Sequence, residues 1–86
     1  MWDVYIVETE NGKLYTGITT DLDRRFSEHR ASPRGAKFFR FSSPIQIVFR
    51  EVHADRAGAT SRERQIKRMS RPEKLRLVAT QDEVGR

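Results

Sequence analysis

Five side chains carry the reactive chemistry of this sequence: Tyr5, Tyr15, Arg25, His29 and Glu63. The two tyrosines flank Asn11-Gly12, and Asn-Gly is the strongest short hairpin signal because both residues accept positive φ. A hairpin lays its arms side by side and can bring both phenols to one region of a sheet. Tyr is also an ordinary strand residue, and the pair alone leaves that reading open. Gly17 interrupts the second arm and weakens it by ~0.5–1 kcal/mol relative to Ala. That points to a close approach at its backbone or to a bulge. Arg25 and His29 are four residues apart, about 40° around a helix axis, so they neighbour each other at the border of the stripe marked by Leu22 and Phe26. A plain surface pair has the same spacing. Glu63 falls on the apolar stripe of Ala59, Ile66 and Met69, while Arg62, Arg64, Lys67 and Arg68 take the wet side. A carboxylate there needs a cation, either Arg25 in a salt bridge or a divalent metal.

These residues need elements to hold them. Trp2 to Thr9 and Lys13 to Thr19 are rich in β-branched and aromatic types and read as antiparallel strands. Thr20 or Asp21 caps a helix that fades near Ser32-Pro33. A basic, aromatic loop with Phe38, Phe39 and Phe41 leads to Pro44, which opens a third strand, Ile45 to Val52. Asp55 caps a second helix reaching about Met69, and Ser70 with Glu73 forms a capping box for a third, with Leu75 and Val78 inward. The order β-β-α-β-α-α predicts an α+β domain, a three-stranded antiparallel sheet flanked by helices. Residues 1–80 form the domain, and residues 81–86 are expected to fray.

With 86 residues, 36% hydrophobic and 34% charged, the chain can fill one small core, and a second domain is excluded. The absence of cysteine removes disulfides, thiol nucleophiles and thiolate zinc sites. No apolar run approaches the ~20 residues that span a bilayer, and the start of the chain lacks a signal-peptide pattern, so the cytoplasm is the expected location. The net charge of +5 hides a segregation. Residues 1–23 hold one Lys against five acids, whereas residues 24–76 hold fifteen Lys or Arg against five acids. Thirteen of the seventeen cations are Arg, whose planar fork matches phosphate oxygens, so the composition points to a polyphosphate partner.

From Val4 to about Val78 the sequence resembles the GIY-YIG nuclease superfamily, in its small stand-alone bacterial branch. Asp3-Val4-Tyr5 and Tyr15-Thr16-Gly17 stand at the two name-giving motifs. Arg25 falls on the family's helix arginine, His29 on the histidine that follows it, and Glu63, in Glu63-Arg64-Gln65-Ile66-Lys67, on the metal-binding glutamate. Two positions depart from the pattern. Asp3 replaces Gly, and the only asparagine is Asn11, so the family's downstream Asn has no counterpart. The resemblance implies a DNA endonuclease of repair or recombination that leaves 5′-phosphate and 3′-hydroxyl ends. Glu63 would bind one Mg²⁺ or Mn²⁺, Arg25 would hold the phosphate and Tyr15 would be the general base. Tyr5 would hydrogen-bond the water or the phosphate, and His29 would orient Tyr15 or accept its proton.

DNA is the expected partner, held through Gly17, Arg24, Arg34, Lys37, Arg40 and Lys67, with no membrane involved. Its affinity would be modest and salt-sensitive unless self-association or a protein partner adds to it. Lys37-Phe38-Phe39-Arg40-Phe41 alternates cations and rings and favours single-stranded or distorted DNA, unless the rings close the core instead. The alternative to an enzyme is a non-catalytic nucleic-acid-binding module that keeps the fold.

Overall fold

The computed structural model describes residues 1–31 and 43–84. Its elements run β1 (Trp2–Thr9), β2 (Leu14–Thr19), α1 (Leu22–Ala31), β3 (Pro44–His53), α2 (Arg56–Lys67) and α3 (Arg71–Val84). β1 is the middle strand of an antiparallel sheet of order β2-β1-β3. The α+β architecture and the element order are those the sequence predicts.

β1 is central because residues 3–7 are buried on both faces. Alternation sends Val4 and Ile6 to one face, where they pack with Phe49, Ala59 and Ile66 inside a rim that includes Leu14, Ile18, Leu77 and Val78. Tyr5 and Val7 go to the other face, with Leu22 at the start of α1 and with Tyr15, Phe26 and Ile47 around them. The register between β1 and β3 slips between Ile6 and Val7, so Val48 is an extra residue, and Phe49 and Ile47 end on opposite faces.

Local chemistry sets the element ends. The hairpin is tied by Thr9 N–H to the Lys13 carbonyl and Gly12 N–H to the Thr9 carbonyl, at 3.0 and 2.9 Å. Gly12 alone takes positive φ, +81°, among the described residues. Asn11 does not, contrary to expectation, because its side chain is committed to the turn: its Oδ1 accepts from Thr9 Oγ1 at 2.6 Å. The loop is therefore the longer kind with one left-handed glycine, rather than a two-residue Asn-Gly turn. Asp21 caps α1 by accepting from Arg24 N–H, and Asp55 caps α2 by accepting from Gly58 N–H at 2.8 Å. Ser70 and Glu73 bond reciprocally at the start of α3.

One expectation for α3 fails. Leu75 is 45% exposed, and Leu77 with Val78 takes the inward role. The helix extends to Val84. Gln81 Oε1 accepts from the Arg50 backbone N–H at 2.7 Å, and its Nε2 donates to the Arg50 carbonyl. Edge strand β3 leaves those two groups open, and the side-chain amide of Gln81 takes the place of a neighbouring strand. Among the described residues, no helix is long and apolar enough to cross a membrane.

Candidate active site

Strand register explains why the tyrosines and the glycine occur together. Tyr5 lies opposite Gly17 and Val7 opposite Tyr15, so both phenols project from the same sheet face on neighbouring strands. Their ring centroids are 6.3 Å apart, tilted by 46°. A Cβ on Gly17 would stand 2.6 Å from Tyr5 Oη and 2.8 Å from its Cζ. The close approach expected at Gly17 is therefore made by the Tyr5 phenol, which lies across the glycine backbone.

α1 brings the next two groups. His29 is 1% exposed, and its Nε2 is 3.3 Å from Tyr5 Oη. Tyr15 meets the imidazole edge-on, with centroids 5.7 Å apart. Burial, with Tyr15 beside it, pushes the Tyr5 phenol up to about 12, although the neighbouring Arg25 guanidinium pulls it down. Tyr5 thus keeps its proton at neutral pH and acts as a hydrogen-bonding group, not as a base. Burial and the Arg25 charge both lower the His29 pKa from 6.5, so this imidazole is neutral at pH 7. Arg25 is 36% exposed and reaches Glu28 at 3.8 Å. It also lines a small polar pocket of about 190 Å³ with Thr19, Thr20, Asp21, Arg24 and Glu28.

Glu63 arrives from α2, which packs against β1 and β2. Its side chain is only 18% exposed, and its charge is felt at Tyr5. Its ion-pair partner is not Arg25. Lys67 Nζ lies 3.4 Å from Glu63 Oε2, one helical turn along. A cation thus already rests against this carboxylate, and it belongs to a lysine more than half exposed that can turn away into solvent. Among the described residues no group of three or more His, Cys, Asp or Glu gathers to form a cage. A single hard carboxylate donor suits Mg²⁺ or Mn²⁺, ions that keep several of their waters, so Glu63 fits such an ion.

The remaining expected residues separate. Arg24 is exposed and pairs with Glu28 at 3.8 Å, next to the pocket that Arg25 lines. Lys67 is the partner of Glu63. Arg34, Lys37, Arg40 and the Phe38, Phe39 and Phe41 rings lie outside the described residues.

Sequence reasoning missed two clusters. Asp3, 6% exposed, accepts from Arg50 Nε and Nη2 at 3.1 and 3.2 Å. It lies on the Tyr5 face, where the bidentate pair offsets the cost of a buried carboxylate. His53 bonds Glu51 Oε1 at 2.8 Å, and the same oxygen accepts from Arg62 Nε at 3.0 Å. Arg62 is therefore not a solvated residue. Two-residue spacing on a strand places Glu51 and His53 on one side, which is the only sequence signal for this cluster.

The model of a family described as the GIY-YIG catalytic domain matches residues 1–76. The chain is 47% identical over 77 residues to the UPF0213 protein DP2720 of Desulfotalea psychrophila, covering 90% of this chain and 70% of that one. It is 41% identical over 78 residues to the UPF0213 protein YhbQ of Escherichia coli K12, covering 91% and 77%. The solution NMR structure of the UPF0213 protein BH0048 from Bacillus halodurans superposes with a TM-score of 0.60 at 40% identity, covering 93% of this chain and 85% of that one.

Proposed function

The chain belongs to the GIY-YIG catalytic domain family, a nuclease family, and from that premise we propose that it is a metal-dependent DNA endonuclease. The observation that carries the reading is the meeting of two phenols, a neutral imidazole and a guanidinium on one sheet face. A buried-edge carboxylate close enough to be felt at Tyr5 completes the set. A purely structural domain has no need of that combination.

Phosphodiester hydrolysis needs a base for water, positive charge at the phosphate, and relief of the charge on the departing 3′ oxygen. Arg25, held beside Tyr5 yet partly exposed, binds the phosphate and stabilises the charge that builds as water attacks in line. Tyr15, the phenol less buried than Tyr5, takes the proton of the attacking water. Tyr5, protonated and seated on Gly17, orients the water or the phosphate through its hydroxyl. His29 fixes Tyr5 through its Nε2 and packs edge-on against Tyr15. Glu63 would hold one Mg²⁺ or Mn²⁺, which when bound supplies positive charge beside the phosphate and the leaving oxygen. As the new P–O bond forms, the P–O3′ bond breaks and the departing oxygen takes a proton from solvent, leaving a 5′-phosphate and a 3′-hydroxyl.

The test is cleavage of a labelled internal phosphodiester in Mn²⁺ or Mg²⁺, followed by ligation of the products. Fragments that a ligase rejoins on a complementary splint support the assignment of ends, and products carrying 3′-phosphates contradict it. Running single strands against the paired duplex checks the preference assigned to Lys37, Arg40 and the three phenylalanines. Equal rates would remove that preference.

A further inference from the structure

One groove of the molecule lies away from the tyrosines. It is an open groove of about 860 Å³ along the outer face of α2, lined by Arg56, Thr60, Ser61, Arg64, Gln65 and Arg68. From Arg56 to Arg68 the helix rises ~18 Å, about five steps of a strand advancing ~3.4 Å per nucleotide. A single phosphate ion would leave most of this volume empty.

The carboxylates near α2 are engaged elsewhere, Glu51 by Arg62, Glu63 by Lys67 and Asp55 by the Gly58 N–H. Among the described residues, Arg56, Arg64 and Arg68 make no ion pair with a carboxylate. Arg64 and Arg68 are one turn apart, where like charges weaken a helix, so the arrangement gains from an anion lying along it. The neutral residues suit the same ligand. Thr60 and Ser61 offer hydroxyls, and Gln65 has its amide oxygen committed to Arg62 Nη1 at 2.8 Å, leaving its NH₂ to donate. Arg56 is held in place by stacking over the Trp2 ring, 5.6 Å from its centroid.

We propose that this face of α2 is a track for the phosphodiester backbone of the substrate strand, gripping it through Arg56, Arg64 and Arg68 outside the catalytic cluster. The identity of the strand rests on the nuclease reading. Glu63 and Arg64 are adjacent and ~100° apart around the helix, so a strand on the track has the metal-binding carboxylate at its flank. Base edges are not read, and sequence has no effect on this part of the affinity.

The test is fluorescence anisotropy of a labelled 25-nucleotide oligothymidylate, in EDTA so that no strand is cut. The Arg64→Ala/Arg68→Ala protein should bind about tenfold more weakly at low salt, with an unchanged melting temperature. The slope of log K against log salt should shrink by about 1.4, about 0.7 for each single-strand phosphate that an arginine no longer neutralises. Binding and slope equal to wild type would overturn the track. So would an equal loss in Lys74→Ala/Arg76→Ala, which removes the same charge from α3, because net charge and not position would then be responsible. Cleavage by wild type in Mn²⁺ is measured separately. A protein that binds through Arg64 and Arg68 yet never cuts retains the track and refutes the nuclease.

Discussion

The two faces of β1 are equally buried and differ in what they bury. Val4 and Ile6 are 0% exposed against Phe49, Ala59 and Ile66, and this face holds the fold together by removing apolar surface from water. On the other face Tyr5 is 1% exposed, and Asp3 and His29 are buried with it. Each of these polar groups costs stability unless it is paired. The pairs are specific: Asp3 with Arg50, and Tyr5 with His29. Burial alone does not tell the two faces apart. The marker is polar chemistry that has been buried and then satisfied, at positions where an apolar side chain packs more cheaply.

That contrast can be broken from either side. The largest expected effect is on the apolar face, where Ile66→Ala leaves a cavity and costs about 2–5 kcal/mol in denaturant unfolding. Cleavage per folded molecule should be unchanged. On the polar face the pattern reverses. Tyr15→Phe and Arg25→Ala should each lower the cleavage rate by about 10²-fold while leaving the melting temperature nearly unmoved. Activity that survives Tyr15→Phe but falls with Tyr5→Phe would mean that the two phenols exchange roles.

Gly17→Ala bridges the two kinds of effect. Its Cβ would meet the Tyr5 ring at 2.6–2.8 Å, and Tyr5 is enclosed, so a loss of about 1–3 kcal/mol is expected together with lost cleavage. The smallest effect is in pH. The folded-state pKa of His29 lies below its unfolded 6.5, so as pH falls the unfolded chain takes up the proton first. Stability is full above about pH 6.5 and declines below it. Melting at stepped pH should show that decline weakened in His29→Gln. An identical acid profile for the two proteins would contradict a buried, neutral His29.

Much of this was legible in the sequence because it is local. The capping residues Asp21, Asp55 and Ser70 with Glu73 act within three residues of themselves. The apolar positions of α2 repeat with the helical period. What stayed hidden joins residues distant in the chain. Asp3 and Arg50 are 47 apart, and Gln81 docks on Arg50 from 31 residues away. The sequence places both tyrosines near the helix, but only strand register and the glycine opposite Tyr5 decide which hydroxyl reaches the imidazole. Glu63 was recognised as needing a cation, and the choice of Lys67 over Arg25 depends on how α2 sits on the sheet.

The central claim is that the polar face and the α2 carboxylate together form a hydrolytic site. Its most direct test uses wild type and Glu63→Ala, purified in parallel, each incubated with end-labelled single-stranded DNA in Mn²⁺ with and without EDTA. The account predicts cleavage by wild type alone, abolished by EDTA, with Glu63→Ala folded and still bound to the strand. Equal cleavage by both proteins, or none by either while both bind DNA, would contradict it.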